Sequence, residues 1–158
     1  MCRMIVSEEK MKDEHRKMEA DLRELRNRIS DGGDVLGLLS ELEERLKNHI
    51  YVEEEILFPS LTDEEENRIA RGFEYEHAAI LTLVDKIHRG ISEGDMALAL
   101  KKTESTLRLF SQHSRREEMT AYRSWTERTA GSGAKTERSF AGSLPKDWKC
   151  RFFRDRGA

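Results

Sequence analysis

Four stretches of this 158-residue chain repeat apolar side chains at alternating steps of three and four residues. Residues with this spacing line one face of an α-helix, so each stretch predicts a helix with one buried face. With 7% aromatic residues the chain has little material for strands. The apolar positions of predicted helices A to D, in chain order, are Met11, Met18, Leu22, Leu25 and Ile29; Val35, Leu39, Leu42, Leu46 and Ile56; Ala70, Phe73, Ile80, Val84, Ile87 and Ile91; and Met96, Leu100, Leu107 and Phe110.

Local signals mark the ends of these helices. Ser7 is a good N-cap for helix A, and the glycines at 32 and 33 end it. Helix B ends before Pro59, a capping box at Thr62–Glu65 starts helix C, and helix D runs through Trp125 to residue 129. Because short connections make consecutive helices antiparallel neighbours, we expect an all-α, up-down-up-down four-helix bundle over residues 1–129.

The last 29 residues, 130–158, have a different composition. They open with a Gly/Ser-rich linker and carry seven basic and three acidic residues, whereas the whole chain has a net charge of -3. We expect a flexible basic tail that could dock on the acidic bundle or bind a protein partner or a membrane surface. The acidic balance of the bundle argues against nucleic-acid binding.

The two cysteines, Cys2 and Cys150, lie at opposite ends of the chain and form no disulfide framework. Residues 1–6 are followed at once by polar residues, which is unlike a signal peptide, and no run is apolar enough to span a membrane. These features predict a cytoplasmic protein.

Each apolar face contains one histidine, and two faces also contain a glutamate four residues later. A spacing of four residues places both side chains on one side of a helix. No lysine or arginine lies on these faces, so cations are the natural partners of the buried carboxylates. The six residues predicted to bind metal are His15, His49, Glu53, His77, His113 and Glu117.

The six residues form an internal repeat. His15 and His77 each follow a glutamate, and His49 and His113 each begin a His-x-x-x-Glu-Glu string. A twofold bundle with three ligands from each half suits two metal ions bridged by Glu53 and Glu117. Mixed imidazole and carboxylate ligands favour iron, with manganese or zinc as weaker candidates.

Other polar residues have simpler interpretations. Glu54, Glu55 and Glu118 are expected to be solvated or to orient imidazoles. His88 follows His77 by eleven residues, about 16 Å along a helix, which is too far to share the site. Tyr122 and Trp125 are expected to pack near the open end of the bundle.

Residues 8–125 resemble the hemerythrin-like, or HHE cation-binding, family. The strings that carry the resemblance are Asp13-Glu14-His15, the segment from His49 to Pro59, Glu76-His77-Ala78-Ala79-Ile80 and His113-Ser114-Arg115-Arg116-Glu117-Glu118. The resemblance implies a non-haem, carboxylate-bridged di-iron centre held by the six residues. The oxygen-carrying branch has a further histidine on helix C, where this chain has Phe73 and Leu81. That difference leaves an open position or recruits a carboxylate such as Glu74.

Three functions follow. The first is a di-iron protein that binds dioxygen or nitric oxide as a sensor, scavenger or store. The second is a di-iron enzyme that reduces peroxide or nitric oxide or assists iron-sulfur cluster repair. The third is a helical scaffold that acts through its tail. The absence of a recognisable pocket for an organic substrate favours a binding or sensing protein over an enzyme.

Overall fold

The computed structural model describes residues 2–129, 136–140 and 144–157. Its four long helices correspond to the four predicted ones: α1 (Glu8–Asp31), α2 (Leu36–Val52), α3 (Glu64–Ser92) and α4 (Met96–Met119). The main contacts of α1 are with α2 and α4, and those of α3 are also with α2 and α4. The prediction of a helical bundle is therefore confirmed. No helix among the described residues is long and apolar enough to cross a membrane.

The apolar faces of the four long helices meet in one core. Leu22 and Leu25 of α1, Leu42 of α2 and Ile87 of α3 are fully buried there, and Phe110 of α4 packs against them. All five were predicted from the helical spacing. Burying an aliphatic side chain of this size contributes roughly 1.5–3 kcal/mol, so the shared core holds the helices in fixed positions around the site.

The helix ends follow ordinary capping chemistry, with one correction. The Ser7 hydroxyl accepts a hydrogen bond of 3.2 Å from the Lys10 N–H, and Gly32 takes a left-handed φ of 78° after α1. Asp63, rather than Thr62, caps α3, because its carboxylate accepts from the Glu66 N–H at 2.8 Å. A carboxylate also suits the positive end of a helix.

The helical backbone continues beyond α2 in two short turns of different width. A π-helical turn covers Glu53–Leu57, and a 3-10 turn covers Phe58–Ser60 and contains Pro59. A π turn holds one more residue than an α turn and is often found at functional sites. Here it begins at Glu53 and buries both Glu53 and Glu54.

The predicted helix D is interrupted. It ends at Met119, and a separate helix, α5, covers Ala121–Thr129. At Thr120 the backbone leaves helical geometry, with φ -123° and ψ -83°, and its N–H bonds to the carbonyl of Glu117, three residues earlier. The break sends α5 in a new direction and buries Tyr122 and Trp125.

Two further elements were not predicted. Strand β1 (Cys2–Val6) pairs antiparallel with β2 (Thr136–Phe140), so that Cys2 is opposite Phe140. A one-turn helix, α6 (Arg151–Asp155), contacts α3.

Residues 144–157 of the basic tail dock on the bundle, which is one of the arrangements considered from the sequence. Cys150 is buried against Ile50 and Ala78, and Arg154 forms an ion pair with Glu55. Aromatic side chains and a basic segment on an acidic bundle account for this docking. The rest of the predicted flexible segment, at 130–135, 141–143 and 158, lies outside the described residues.

Candidate metal centre

The six residues predicted to bind metal meet in the bundle interior. Each of the four histidines comes from a different long helix, while Glu53 begins the π turn and Glu117 lies on α4. None of the six exposes more than 3% of its surface. Burial on this scale is costly for ionisable groups unless they are paired or bind a cation.

Their potential ligand atoms fall into two groups that share both glutamates. The first group contains His15, His49, Glu53 and Glu117, and the second contains Glu53, His77, His113 and Glu117. Within each group the ligand atoms all lie within 4.8 Å of one another. Each group can therefore surround one metal ion.

Glu53 turns one carboxylate oxygen to each group. Its Oε1 lies 2.9 Å from Nε2 of His49 in the first group, and its Oε2 lies 3.0 Å from Nε2 of His77 in the second. A carboxylate in this position can bridge two ions.

Glu117 repeats the arrangement from the opposite half of the chain. Its Oε2 lies 3.2 Å from Nε2 of His15, and its Oε1 lies 3.1 Å from Nε2 of His113. The two carboxylates thus join the two groups in the same way.

Two carboxylate oxygens have unused bonding capacity. Oε2 of Glu53 and Oε2 of Glu117 are buried, and the described imidazole nitrogens beside them, Nε2 of His77 at 3.0 Å and Nε2 of His15 at 3.2 Å, approach outside hydrogen-bonding geometry. Buried polar atoms without hydrogen-bonding partners are rare in native proteins, and such atoms usually contact a bound water molecule or an ion. The donor set therefore fits cations between the two carboxylates.

Electrostatics in the metal-free protein point the same way. Burial lowers the pKa of His15, but its contacts with the carboxylates of Glu117, Glu118 and Glu53 outweigh burial and raise that pKa to about 11. Burial raises the pKa of Glu53, yet the charge on His49 and the contacts with the histidines bring it well below its usual range. The cluster thus holds positive charge between its carboxylates, which is the role that metal ions can take over.

Each histidine is oriented from behind by a carboxylate that accepts a hydrogen bond from Nδ1. This leaves every Nε2 directed at the centre, and carboxylates behind ligating histidines are common in metal sites because they fix the ring and raise its basicity. The four pairs are His15 with Glu118 (2.9 Å), His49 with Glu14 (2.7 Å), His77 with Glu54 (2.9 Å) and His113 with Glu76 (2.7 Å).

These outer pairs follow the internal repeat. The orienting role expected for Glu54 and Glu118 is confirmed, whereas Glu55 instead contacts Arg154 of the tail. Glu14 and Glu76 had been noted only as members of the repeat. Their signal in the sequence was the Glu-His pair on helices A and C, each one residue before a predicted ligand.

Comparison with protein families agrees with this geometry. The family model of the hemerythrin HHE cation-binding domain matches residues 6–124. The chain belongs to the hemerythrin HHE family. Comparisons with curated proteins and with solved structures gave no significant match. The family binds metal cations, and the buried histidine and glutamate groups of this member are able to hold them.

One contact in this hemerythrin-like centre was missed from the sequence. The Tyr122 hydroxyl on α5 lies 3.1 Å from Nε2 of His15 and 3.2 Å from Nε2 of His49, and it donates to Oε1 of Glu53. Its ring stacks on that of His15 at 5.3 Å. Burial and the charges of both central glutamates hold the Tyr122 pKa well above its usual range in the metal-free protein.

The second group is bordered by aromatic rings without hydroxyls. The Phe58 ring lies parallel to His77, with centroids 6.0 Å apart, and Phe73 meets His113 edge-on at 5.4 Å. Both phenylalanines are at least 96% buried.

Two residues considered near the site lie outside both groups. Glu74 is directed at the tail, with its Oε1 3.7 Å from the Arg151 guanidinium, and so it is not placed as a seventh ligand. His88 lies 2.7 Å from Oε2 of Glu43, away from the centre, as expected. Between α1 and α2, a cleft of about 310 Å³ reaches Glu14 and His49 from the surface.

Proposed function

We propose that this hemerythrin HHE protein holds two iron ions and binds dioxygen or nitric oxide as a sensor, scavenger or store. One ion would be held by the first group and one by the second, with Glu53 and Glu117 as bridges. The observation that carries the proposal is the division of each carboxylate, which turns one oxygen to each pair of histidines.

The choice of iron rests on the donors. Four imidazole nitrogens and two carboxylates suit iron better than structural zinc, which prefers four tetrahedral ligands with thiolates common. Neither group includes a cysteine, and Cys150 is buried in a separate apolar cluster with Ile50 and Ala78.

The proposal includes an alternating, up-down-up-down direction of the four long helices. His15 lies near the start of α1 and His49 near the end of α2, yet their ring centroids are 4.6 Å apart. Residues at opposite ends of two consecutive helices meet in this way when the helices are antiparallel.

The chain's own residues limit what can reach and react at the centre. When bound, the iron pair supplies the electrons that dioxygen or nitric oxide chemistry requires. The four outer carboxylates hold each Nε2 in position, and Phe58 and Phe73 exclude water beside the second group. The dry, closely packed border of the second group admits a diatomic molecule and excludes organic substrates from that side.

The other two functions have weaker support. The described end of the tail places Cys150 and Arg154 on the chain's own bundle, which favours an internal role for the tail over a partner-binding one. No described contact favours an enzyme over a binding protein.

The decisive experiment is metal analysis of protein produced with iron, followed by absorption spectra of the reduced form before and after adding oxygen or nitric oxide. We expect two irons per chain and a spectral change with one of the gases. Glu53→Gln and Glu117→Gln should each lose iron, because an amide bridges two cations poorly. Glu44→Gln, at an exposed position on α2, is the matched control. Full iron content in both bridging variants would refute the assignment.

A further inference from the structure

Tyr122 is positioned as more than a packing residue. Its hydroxyl oxygen is within 3.2 Å of two imidazole nitrogens and contacts a carboxylate oxygen, and all three atoms belong to the first group. The side chain is fully buried. Among the described residues, His15, His49 and Glu53 are the hydrogen-bonding partners of the Tyr122 hydroxyl.

The distances are those between neighbouring ligands of one ion. Metal bonds to nitrogen and oxygen of about 2.1 Å place adjacent ligands roughly 3 Å apart. The hydroxyl lies 3.1 Å and 3.2 Å from the two Nε2 atoms, and Nε2 of His49 lies 2.9 Å from Oε1 of Glu53. The phenol oxygen is therefore spaced from these atoms as a further ligand of one ion would be.

Hydrogen bonding alone explains this position only if both imidazoles carry a proton on each nitrogen. A tyrosine hydroxyl has one proton, which is directed at Glu53, so both imidazoles must present an N–H to the same oxygen. Both rings already donate from Nδ1, to Glu118 and Glu14. Satisfying every contact without metal requires two doubly protonated imidazoles side by side, with ring centroids 4.6 Å apart. One cation replaces both of these protons.

We propose that the phenol oxygen of Tyr122 is a direct ligand of the metal ion held by His15 and His49. The inference rests on the proposed function, since it requires that ion. Tyrosine is an established ligand of iron in proteins. On coordination the phenol proton leaves to solvent, and the phenolate charge offsets part of the charge of the metal pair.

The assignment makes the two metal positions unequal. The first ion receives two imidazoles, two carboxylate oxygens and the phenolate from the protein. The second receives two imidazoles and two carboxylate oxygens, beside Phe58 and Phe73. The open coordination positions, and therefore the binding of a small ligand, are concentrated at the second ion.

The local fold positions this tyrosine. The break at Thr120 turns α5 so that residue 122 is directed into the centre, and stacking on His15 at an interplanar angle of 9° fixes the ring. The Tyr51 ring contacts Trp148 and the Tyr75 ring contacts Phe152, both in the docked tail, so the chain provides two control tyrosines.

The test compares diferric wild-type protein with Tyr122→Phe, using Tyr51→Phe and Tyr75→Phe as controls. A phenolate bound to iron(III) gives a visible charge-transfer band and enhanced tyrosine ring modes in resonance Raman spectra. We expect both signals in the wild type and the controls. Tyr122→Phe should lose them while keeping two irons per chain and its helical circular dichroism, because the ring that packs on His15 is retained.

The possible outcomes separate the inference from the proposed function. Two irons in the wild type without tyrosine signals, or signals that persist in Tyr122→Phe, would overturn the ligand assignment alone. Absence of bound iron in the wild type would overturn both. If the tyrosine signals are lost in Tyr51→Phe or Tyr75→Phe and kept in Tyr122→Phe, the ligand is a tyrosine other than Tyr122, and the inference is rejected.

Discussion

The first and second ligand groups are alike in their inner residues and different in what surrounds them. Each has two histidines, shares Glu53 and Glu117, and orients its histidines with outer carboxylates. The first is completed by the Tyr122 hydroxyl, whereas the second is bordered by Phe58 and Phe73. The repeat in the sequence thus builds the ligand frame twice, and single residues outside the repeat distinguish its halves.

The two groups also differ in the exposure of the carboxylates that orient their histidines. Glu118, behind His15, keeps 29% of its side chain exposed, whereas Glu54, behind His77, is fully buried. Oε2 of Glu54 accepts a hydrogen bond of 2.7 Å from the backbone N–H of Arg151 in the docked tail. The tail therefore supports the second group, whereas the carboxylates behind the first group, Glu118 and Glu14, stay partly exposed to solvent.

The largest expected effect comes from removing one histidine of either group. His15→Asn and His77→Asn should each lower iron from two to about one per chain, because one ion loses one of its two imidazoles. Only His77→Asn should also abolish the spectral response to nitric oxide, since His15→Asn keeps the ion of the second group. Metal analysis and difference spectra measure both effects, and His88→Asn is the control.

This pair of variants tests directly whether the two metal positions differ. An equal loss of gas response in His15→Asn and His77→Asn would show that the two ions act as equals. Loss of response in His15→Asn alone would reverse the assignment of the open position.

A smaller effect is expected at the outer carboxylates. Removing a carboxylate behind a ligating histidine typically weakens metal binding about 10- to 100-fold. The loss of affinity in Glu54→Gln should be about 100-fold, since Glu54 is buried, and the loss in Glu118→Gln should be about 10-fold. Competition with a chelator measures both affinities. A larger loss in Glu118→Gln would contradict the distinction between the two outer sides.

One hydrogen bond between the tail and Glu54 can be tested for its contribution to stability. Arg151→Pro removes the N–H that Glu54 accepts, and proline is tolerated at the first position of a helix such as α6. We expect it to be about 1 kcal/mol less stable than Arg151→Ala, which keeps the N–H. Thermal unfolding of both variants provides the comparison, and equal melting temperatures would indicate that the hydrogen bond adds nothing.

The smallest effect lies outside the centre, at the Glu43 and His88 pair. Burial raises the pKa of Glu43, but hydrogen bonds to Lys47 and His88 leave it below its usual value of 4.5. Its stabilising contribution is therefore present above pH 4.5 and is lost as the pH falls through the lowered value. For this partly exposed pair we expect at most about 0.5 kcal/mol. The stability difference between wild type and Glu43→Gln should shrink on acidification; growth of that difference would contradict the sign.

Helical periodicity was sufficient to predict the inner six residues. A histidine on each apolar face, with Glu53 and Glu117 one turn beyond two of them, can converge only in the interior of a bundle. The sequence could not reveal the role of Tyr122, because that depends on the change of direction at Thr120.

The outer contacts were predicted only in part. Glu54 and Glu118 were accessible to reasoning because each follows a predicted ligand. The docking of Arg151 on Glu54 joins residues 97 positions apart and depends on tertiary packing. A Gly/Ser-rich linker indicates freedom of the chain at that point, but it carries no information about where the following segment packs.

The most direct test of two unequal, bridged irons is Mössbauer spectroscopy of the diferric protein loaded with iron-57, together with its iron-to-protein ratio. We predict two irons per chain. We also predict two quadrupole doublets of equal area from a magnetically coupled, diamagnetic pair. One iron per chain, or two uncoupled ferric ions, would contradict the bridged centre. A single symmetric doublet from two coupled irons would contradict the inequality between the first and second groups.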